Sequence, residues 1–116
     1  DETITGFRFS EGGAQELFKV IPDLSTFGKG VANGFPLSVV VGKREIMMEM
    51  EEIFFSGTFG GELLSLAAAK TVLELHLRNK VVPKLREIGE ELLKRTNWAI
   101  SETNTTELLS LSGHPT

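Results

Sequence analysis

Lys29 stands between two glycines in the run Pro22-Asp23-Leu24-Ser25-Thr26-Phe27-Gly28-Lys29-Gly30-Val31-Ala32-Asn33-Gly34-Phe35-Pro36. Backbone so rich in glycine, asparagine and proline must turn sharply and can approach a neighbour closely. A lysine presented by such a turn, just after a strand-like run, can anchor a carbonyl compound covalently. Its amine attacks only when unprotonated, and an apolar pocket lowers a lysine pKa from its reference of ~10.4. Phe27, Val31 and Phe35 are the candidate walls of that pocket. The same residues also describe an exposed lysine on a surface turn, and the stretch alone leaves both open. It is not a phosphate-binding P-loop, which needs G-x-x-x-x-G-K-[ST]. The rival lysine, Lys43, sits beside Arg44 and Glu45 at an expected helix start and reads as solvated.

A second candidate feature is Ser56-Gly57-Thr58-Phe59-Gly60-Gly61, which runs straight into a helical pattern. A hydroxyl and free amides at a helix start can bind an anion. The same residues also suit plain N-capping by Ser56 or Thr58. Glu62 in the first turn would repel a phosphate placed nearby. Arg8 suits either a carboxylate ligand or a structural ion pair. Only two histidines, His76 and His114, and no cysteine are available, which makes no convincing metal set. The sequon Asn104-Thr105-Thr106 has no accompanying sign of secretion and is discounted.

The order of these pieces is specific. The chain opens Asp1-Glu2-Thr3-Ile4-Thr5-Gly6-Phe7-Arg8, continues Gly12-Gly13-Ala14-Gln15, and reaches Pro22-Asp23-Leu24 before Lys29. The run from Ser56 to Gly61 then leads into an alanine-rich helix. This arrangement resembles the class III aminotransferases, which use pyridoxal 5'-phosphate. The branch it resembles most is that of glutamate-1-semialdehyde aminomutase. The likeness is strongest over residues 1–75, and Leu111-Ser112-Gly113-His114-Pro115-Thr116 also looks like part of that branch.

The resemblance implies an α/β architecture of fold type I, like aspartate aminotransferase. Residues 1–78 would be the C-terminal half of the cofactor-binding large domain, and residues 79–116 the beginning of an α+β small domain. With no initiating methionine, the chain would be an internal piece of a longer protein. By the same resemblance Lys29 forms the internal aldimine and carries a proton between the substrate α-carbon and the cofactor's C4′. Asp1 pairs with the protonated pyridine nitrogen, which keeps the ring an electron sink. Thr3 stands where the family has a small apolar residue against the ring. Thr58, with Gly57, reaches the cofactor phosphate of a neighbouring subunit, which implies a homodimer. The implied reaction moves an amino group on an amino acid or amino-aldehyde. Aminomutase chemistry on glutamate semialdehyde, transamination of a β- or ω-amino acid, and amino transfer in polysaccharide synthesis all stay open. The alternative is a catalytically silent unit kept for folding or assembly.

Several elements must position these residues. Ile4, Phe7 and Phe9 around Gly6 read as a strand end entering a loop, and Ala14 to Val20 as a helical turn or two. Residues 23–43 read as strand, turn, strand, with β-branched Leu37 to Val41 expected to be buried. Residues 44–52 suit a short helix with Ile46, Met47 and Met50 inward. Ile53-Phe54-Phe55 is a strand candidate. A helix from Glu62 to Leu77 would turn Leu63, Leu66, Ala67, Val72 and Leu73 inward, with His76 structural. Residues 78–98 form a second helical region, with Pro83 in the first turn, where its missing amide costs nothing. Glu107 to Leu111 is a candidate edge strand.

Bulk properties bound the rest. The 116 residues fit one ordinary domain in length, and 41% apolar content is enough for a core. A net charge of −4 offers no basic field to nucleic acid or an anionic membrane. No apolar run approaches the ~20 residues that span a bilayer. With no cysteine the chain has no disulfide or thiolate chemistry. That composition is compatible with the expected cytoplasmic location.

Overall fold

A computed structural model describes residues 1–116. In chain order the elements are helix α1 (Ala14–Leu17), strand β1 (Leu24–Phe27), a 3-10 turn (Lys29–Val31) and strand β2 (Val39–Gly42). Helix α2 (Arg44–Met47), a 3-10 turn (Met48–Glu51), helix α3 (Leu63–Asn79) and helix α4 (Val81–Glu102) follow. The two strands pair antiparallel, with Phe27 opposite Val39 and Leu24 opposite Gly42. Strand, turn and strand therefore stand as the sequence predicts.

The core is small and sits where the lysine turn meets α3. Val31, Ala32 and Ala69 form it, with Phe7, Phe27, Leu37 and Val39 packed around them. The inward face of α3 differs from the expected leucine stripe. Its buried residues are Ser65 and Ala69, while Leu63, Leu66 and Leu73 stay exposed. The turn comes so close to the helix that small side chains occupy the contact and the bulky ones face away. Only 10 of 116 residues are buried, and the radius of gyration is 18.3 Å. A compact domain of this length has a radius of about 13 Å.

Other expectations change for local reasons. Val40 and Val41 are exposed rather than buried, because the sheet has only two strands and only Phe27 and Val39 join the core. Ile53-Phe54-Phe55 pairs with no strand, and without a ladder to join it runs as exposed loop, with Phe54 96% accessible. Leu108 and Leu109 both donate their amides to the carbonyl of Thr105, which closes a turn in place of the edge strand. The helix expected over residues 44–52 tightens to 3-10 geometry at Met48. Glu49, Glu51 and Glu52 gather there, at the end of the helix where the dipole disfavours anions. Met50, expected inward, is exposed.

The two long helices meet at Lys80, whose left-handed conformation (φ 49°, ψ 52°) ends α3 and starts α4. Pro83 lies in the first turn of α4, as predicted. The chain then folds back along α4. Asn97 clasps Leu111 from both sides, donating to its carbonyl at 3.1 Å and accepting from its amide at 3.3 Å. His114 stacks on Phe9 with ring centroids 4.1 Å apart. Pro115 crosses α4 at Gly89, where a Cβ would stand 2.0 Å from its carbonyl oxygen.

Gly89→Ala tests that crossing. Alanine favours the helix by about 1 kcal/mol over glycine, yet its methyl must displace residues 112–116. Helicity should rise or hold while the His114 ring protons lose the shift imposed by Phe9, as read by NMR. An unchanged His114 signal would contradict the crossing.

Candidate active site

Lys29 opens its 3-10 turn with φ 38°, in the left-handed region. Val31 N donates to Gly28 O at 3.0 Å, and Asn33 N donates to Lys29 O at 3.0 Å. The side chain lines a cleft of about 820 Å³ with Phe35, Ser38, Phe55, Gly57, Thr58 and Phe59. Lys29 is exposed, so this chain does not bury it in the apolar pocket the sequence suggested. Of the expected walls, Phe35 lines the cleft, whereas Phe27 and Val31 turn to the core. Lys29 makes no ion pair. Lys43 is engaged with Asp23 at 2.6 Å, which fits its reading as a solvated surface residue.

Gly57 and Thr58 share the cleft with Lys29, and both are exposed. The cap of α3 is neither Ser56 nor Thr58. Glu62 takes that place, accepting from the amides of Leu64 at 2.8 Å and Ser65 at 2.7 Å and from Ser65 Oγ at 2.6 Å. The Ser65 hydroxyl and those two amides hold the Glu62 carboxyl below its ordinary value. An anion at the helix start would compete with this carboxylate. The polar groups left for a phosphate are those of the Gly57–Gly61 loop.

Asp1 is not brought to that cleft. It lines a separate pocket with Glu2, Gln15 and Ser25, and its Oδ1 accepts from Thr3 N at 2.7 Å and Thr26 Oγ1 at 3.1 Å. Thr3 lies between the two places. Its methyl would meet a Cβ on Gly28 at 3.1 Å, and Ser38 Oγ would meet it at 3.6 Å. Gly28 thus lets Thr3 and Ser38 converge beside Lys29.

Two residues without an expected function organise this region. Glu2 is buried, and its carboxylate accepts from Ala14 N at 2.9 Å, Gln15 N at 2.7 Å and the Thr5 hydroxyl. Burial pushes its pKa up, but the bonds from Thr5, Gln15 and Ala14 carry it below the ordinary value. Gln15 accepts from Ser25 Oγ at 2.5 Å and so ties α1 to β1. Neither residue carries a periodicity signal. The one sequence hint was Glu2's place in the opening acid pair.

The class III aminotransferase family matches residues 1–107 of this chain. The chain belongs to the class III aminotransferases. It is 42% identical over 108 residues to the glutamate-1-semialdehyde 2,1-aminomutase of Thermosipho melanesiensis, covering 90% of this chain and 26% of that protein. It is 44% identical over 93 residues to the enzyme of the same name from Methanosphaera stadtmanae, covering 78% and 22%. Its fold matches the S-selective transaminase from Arthrobacter sp. with a TM-score of 0.70 at 26% identity, over 90% of this chain and 23% of the other. The chain therefore spans about a quarter of the length of these class III relatives. The α/β elements described above are part of the fold that these transaminases share. No helix is long and apolar enough to cross a membrane.

Glu2 gives the test of this geometry. A carboxyl whose folded pKa is depressed stabilises the fold above its unfolded pKa of ~4.3 and loses that contribution as pH falls through the folded value. Glu2→Gln should cost about 2 kcal/mol near neutral pH, the scale of hydrogen bonds to a charged group. The gap between the two melting temperatures should close as the pH drops below ~4.3. A gap that is constant with pH would contradict an ionised Glu2 in the fold.

Proposed function

We propose that this chain carries the lysine-bearing part of a pyridoxal 5'-phosphate enzyme that moves amino groups, of the glutamate-1-semialdehyde aminomutase kind. The observation that carries the reading is the shared cleft of Lys29, Gly57 and Thr58. It pairs an amine free of any ion pair with a hydroxyl and loop amides, in a volume within the range of small-molecule sites. That donor set fits an aldehyde that also bears a phosphate. When bound, the cofactor supplies a carbonyl for covalent attachment and a pyridine ring that accepts electrons.

Each residue has its own task in this reading. Lys29 provides the nucleophilic amine and afterwards holds the proton that moves to and from the substrate. Thr58 and the Gly57 backbone offer hydrogen bonds to the phosphate. Thr3, beside Gly28, flanks the ring. Asp1, held by Thr3 and Thr26 in a separate pocket, would reach the ring nitrogen as its counter-charge only by releasing those bonds. The substrate is an amino acid or amino-aldehyde.

Thr58 lies in an exposed apolar strip that includes Ile53, Phe54, Phe55, Phe59 and Leu63. Such a strip supports a homodimer with the phosphate site shared across the interface. The break between α3 and α4 at Lys80 supports a junction of large and small domain there, close to the 1–78 and 79–116 division. The location that fits this chemistry is the cytoplasm.

Titration with pyridoxal 5'-phosphate tests the assignment. A visible absorbance band should appear, vanish in Lys29→Ala and persist in Lys43→Ala. Thr58→Val should weaken cofactor binding by about tenfold, the loss of one hydrogen bond to a charged group. A band that survives Lys29→Ala would reject Lys29 as the anchor. No band at all would favour the catalytically silent unit.

A further inference from the structure

We propose that Phe7 is a positioning residue for Lys29, and that His76 acts through it. The proposal rests on the reading of Lys29 as the cofactor-bearing amine. Lys29 has φ 38° and Phe7 has φ 63°. A residue with a Cβ holds such a conformation only where its surroundings over-determine it.

Those surroundings converge on the Phe7 ring. It lies 5.6 Å from the ring of Phe27, which ends β1 just before the turn. It meets the ring of His76 on α3 edge-on at 5.7 Å. On the far side of Lys29, Phe7 Cβ and the Gly6 carbonyl stand 3.9 Å and 3.4 Å from where a Gly30 Cβ would be. Phe7 therefore packs on Phe27 before Lys29 and lies beside Gly30 after it. His76 is held in turn by Glu11, with Nδ1 to Oε2 at 3.1 Å and 12% of its side chain exposed.

Beyond the packing of Val31 and Ala32 against Ala69, the turn has little else to define it. It is three residues long and is closed by the bonds to Gly28 O and Lys29 O. Loss of the Phe7 ring would let Lys29 relax toward negative φ, which re-aims its Cα–Cβ bond. Helix α3 thus serves the cleft at both ends. Its first turn follows the Gly57–Gly61 loop, and its last turns back Phe7 through His76.

Amide hydrogen exchange on the chain reads this directly. In Phe7→Leu, exchange at Val31 and Asn33 should speed about tenfold relative to amides within α4, while Phe7→Tyr, which keeps the ring, should not change it. The pH midpoint of the pyridoxal 5'-phosphate band should also move in Phe7→Leu and stay in Phe7→Tyr. If Phe7→Leu does not fold, His76→Ala, which removes only the edge contact, should speed the same two amides. Unchanged exchange at Val31 and Asn33 in the folded variant overturns the role of Phe7, whatever the cofactor does. Absence of the band in the unsubstituted chain instead overturns the reading of Lys29, and the exchange result still decides Phe7.

Discussion

The close approach of the lysine turn to the small-residue face of α3 is the constraint on which the structure depends. Val31 and Ala32 are buried against Ala69, and Ser65 on the same face is fully enclosed. Larger side chains at 65 and 69 would push the turn outward, because packed interiors do not absorb extra volume. Everything that gives Lys29 a fixed place follows from this contact. The strands bring the turn to the helix, and Phe7 and His76 brace it from behind.

The carboxylates divide the remaining work. Glu2 draws residues 1–5 onto the start of α1, and its amide donates to Thr26 O at 2.7 Å, so the opening segment lies along β1. Glu62 closes the start of α3 and fixes where the glycine loop ends. Asp1 is the exposed acid of the opening pair. Its two hydrogen bonds aim it at Thr3 and Thr26 rather than into the lysine cleft. A sheet of two strands leaves one face of β2 open, and the apolar strip from Ile53 to Leu64 is open as well.

Much of this was legible in the sequence because it is local. Gly28-Lys29-Gly30 had to be a turn, Leu24–Phe27 and Val39–Gly42 had strand composition, and the helical spacing from Leu63 and from Val81 was long enough to be unambiguous. Pro83 in the first turn of α4 follows a backbone rule. The rest depends on partners that a pattern does not name. Ile53-Phe54-Phe55 and Glu107–Leu111 have strand-like residues, but a strand exists only where another strand meets it. The inward face of α3 departs from the leucine stripe because hydrophobicity marks what favours burial, whereas steric room decides what can approach the turn. Of the residues expected at the site, Lys29, Gly57 and Thr58 line one cleft, whereas Asp1 lies in another pocket, held by hydrogen bonds to Thr3 and Thr26 that no sequence pattern names.

In the proposed function one amine among the lysines of this chain bears the cofactor. Borohydride reduction after incubation with pyridoxal 5'-phosphate, followed by digestion and mass spectrometry, locates the resulting pyridoxyl group. A single dominant adduct on the peptide containing Lys29 is the expected result. A spread over Lys19, Lys43, Lys70 and the other surface lysines, with Lys29 no more modified than they are, would contradict it.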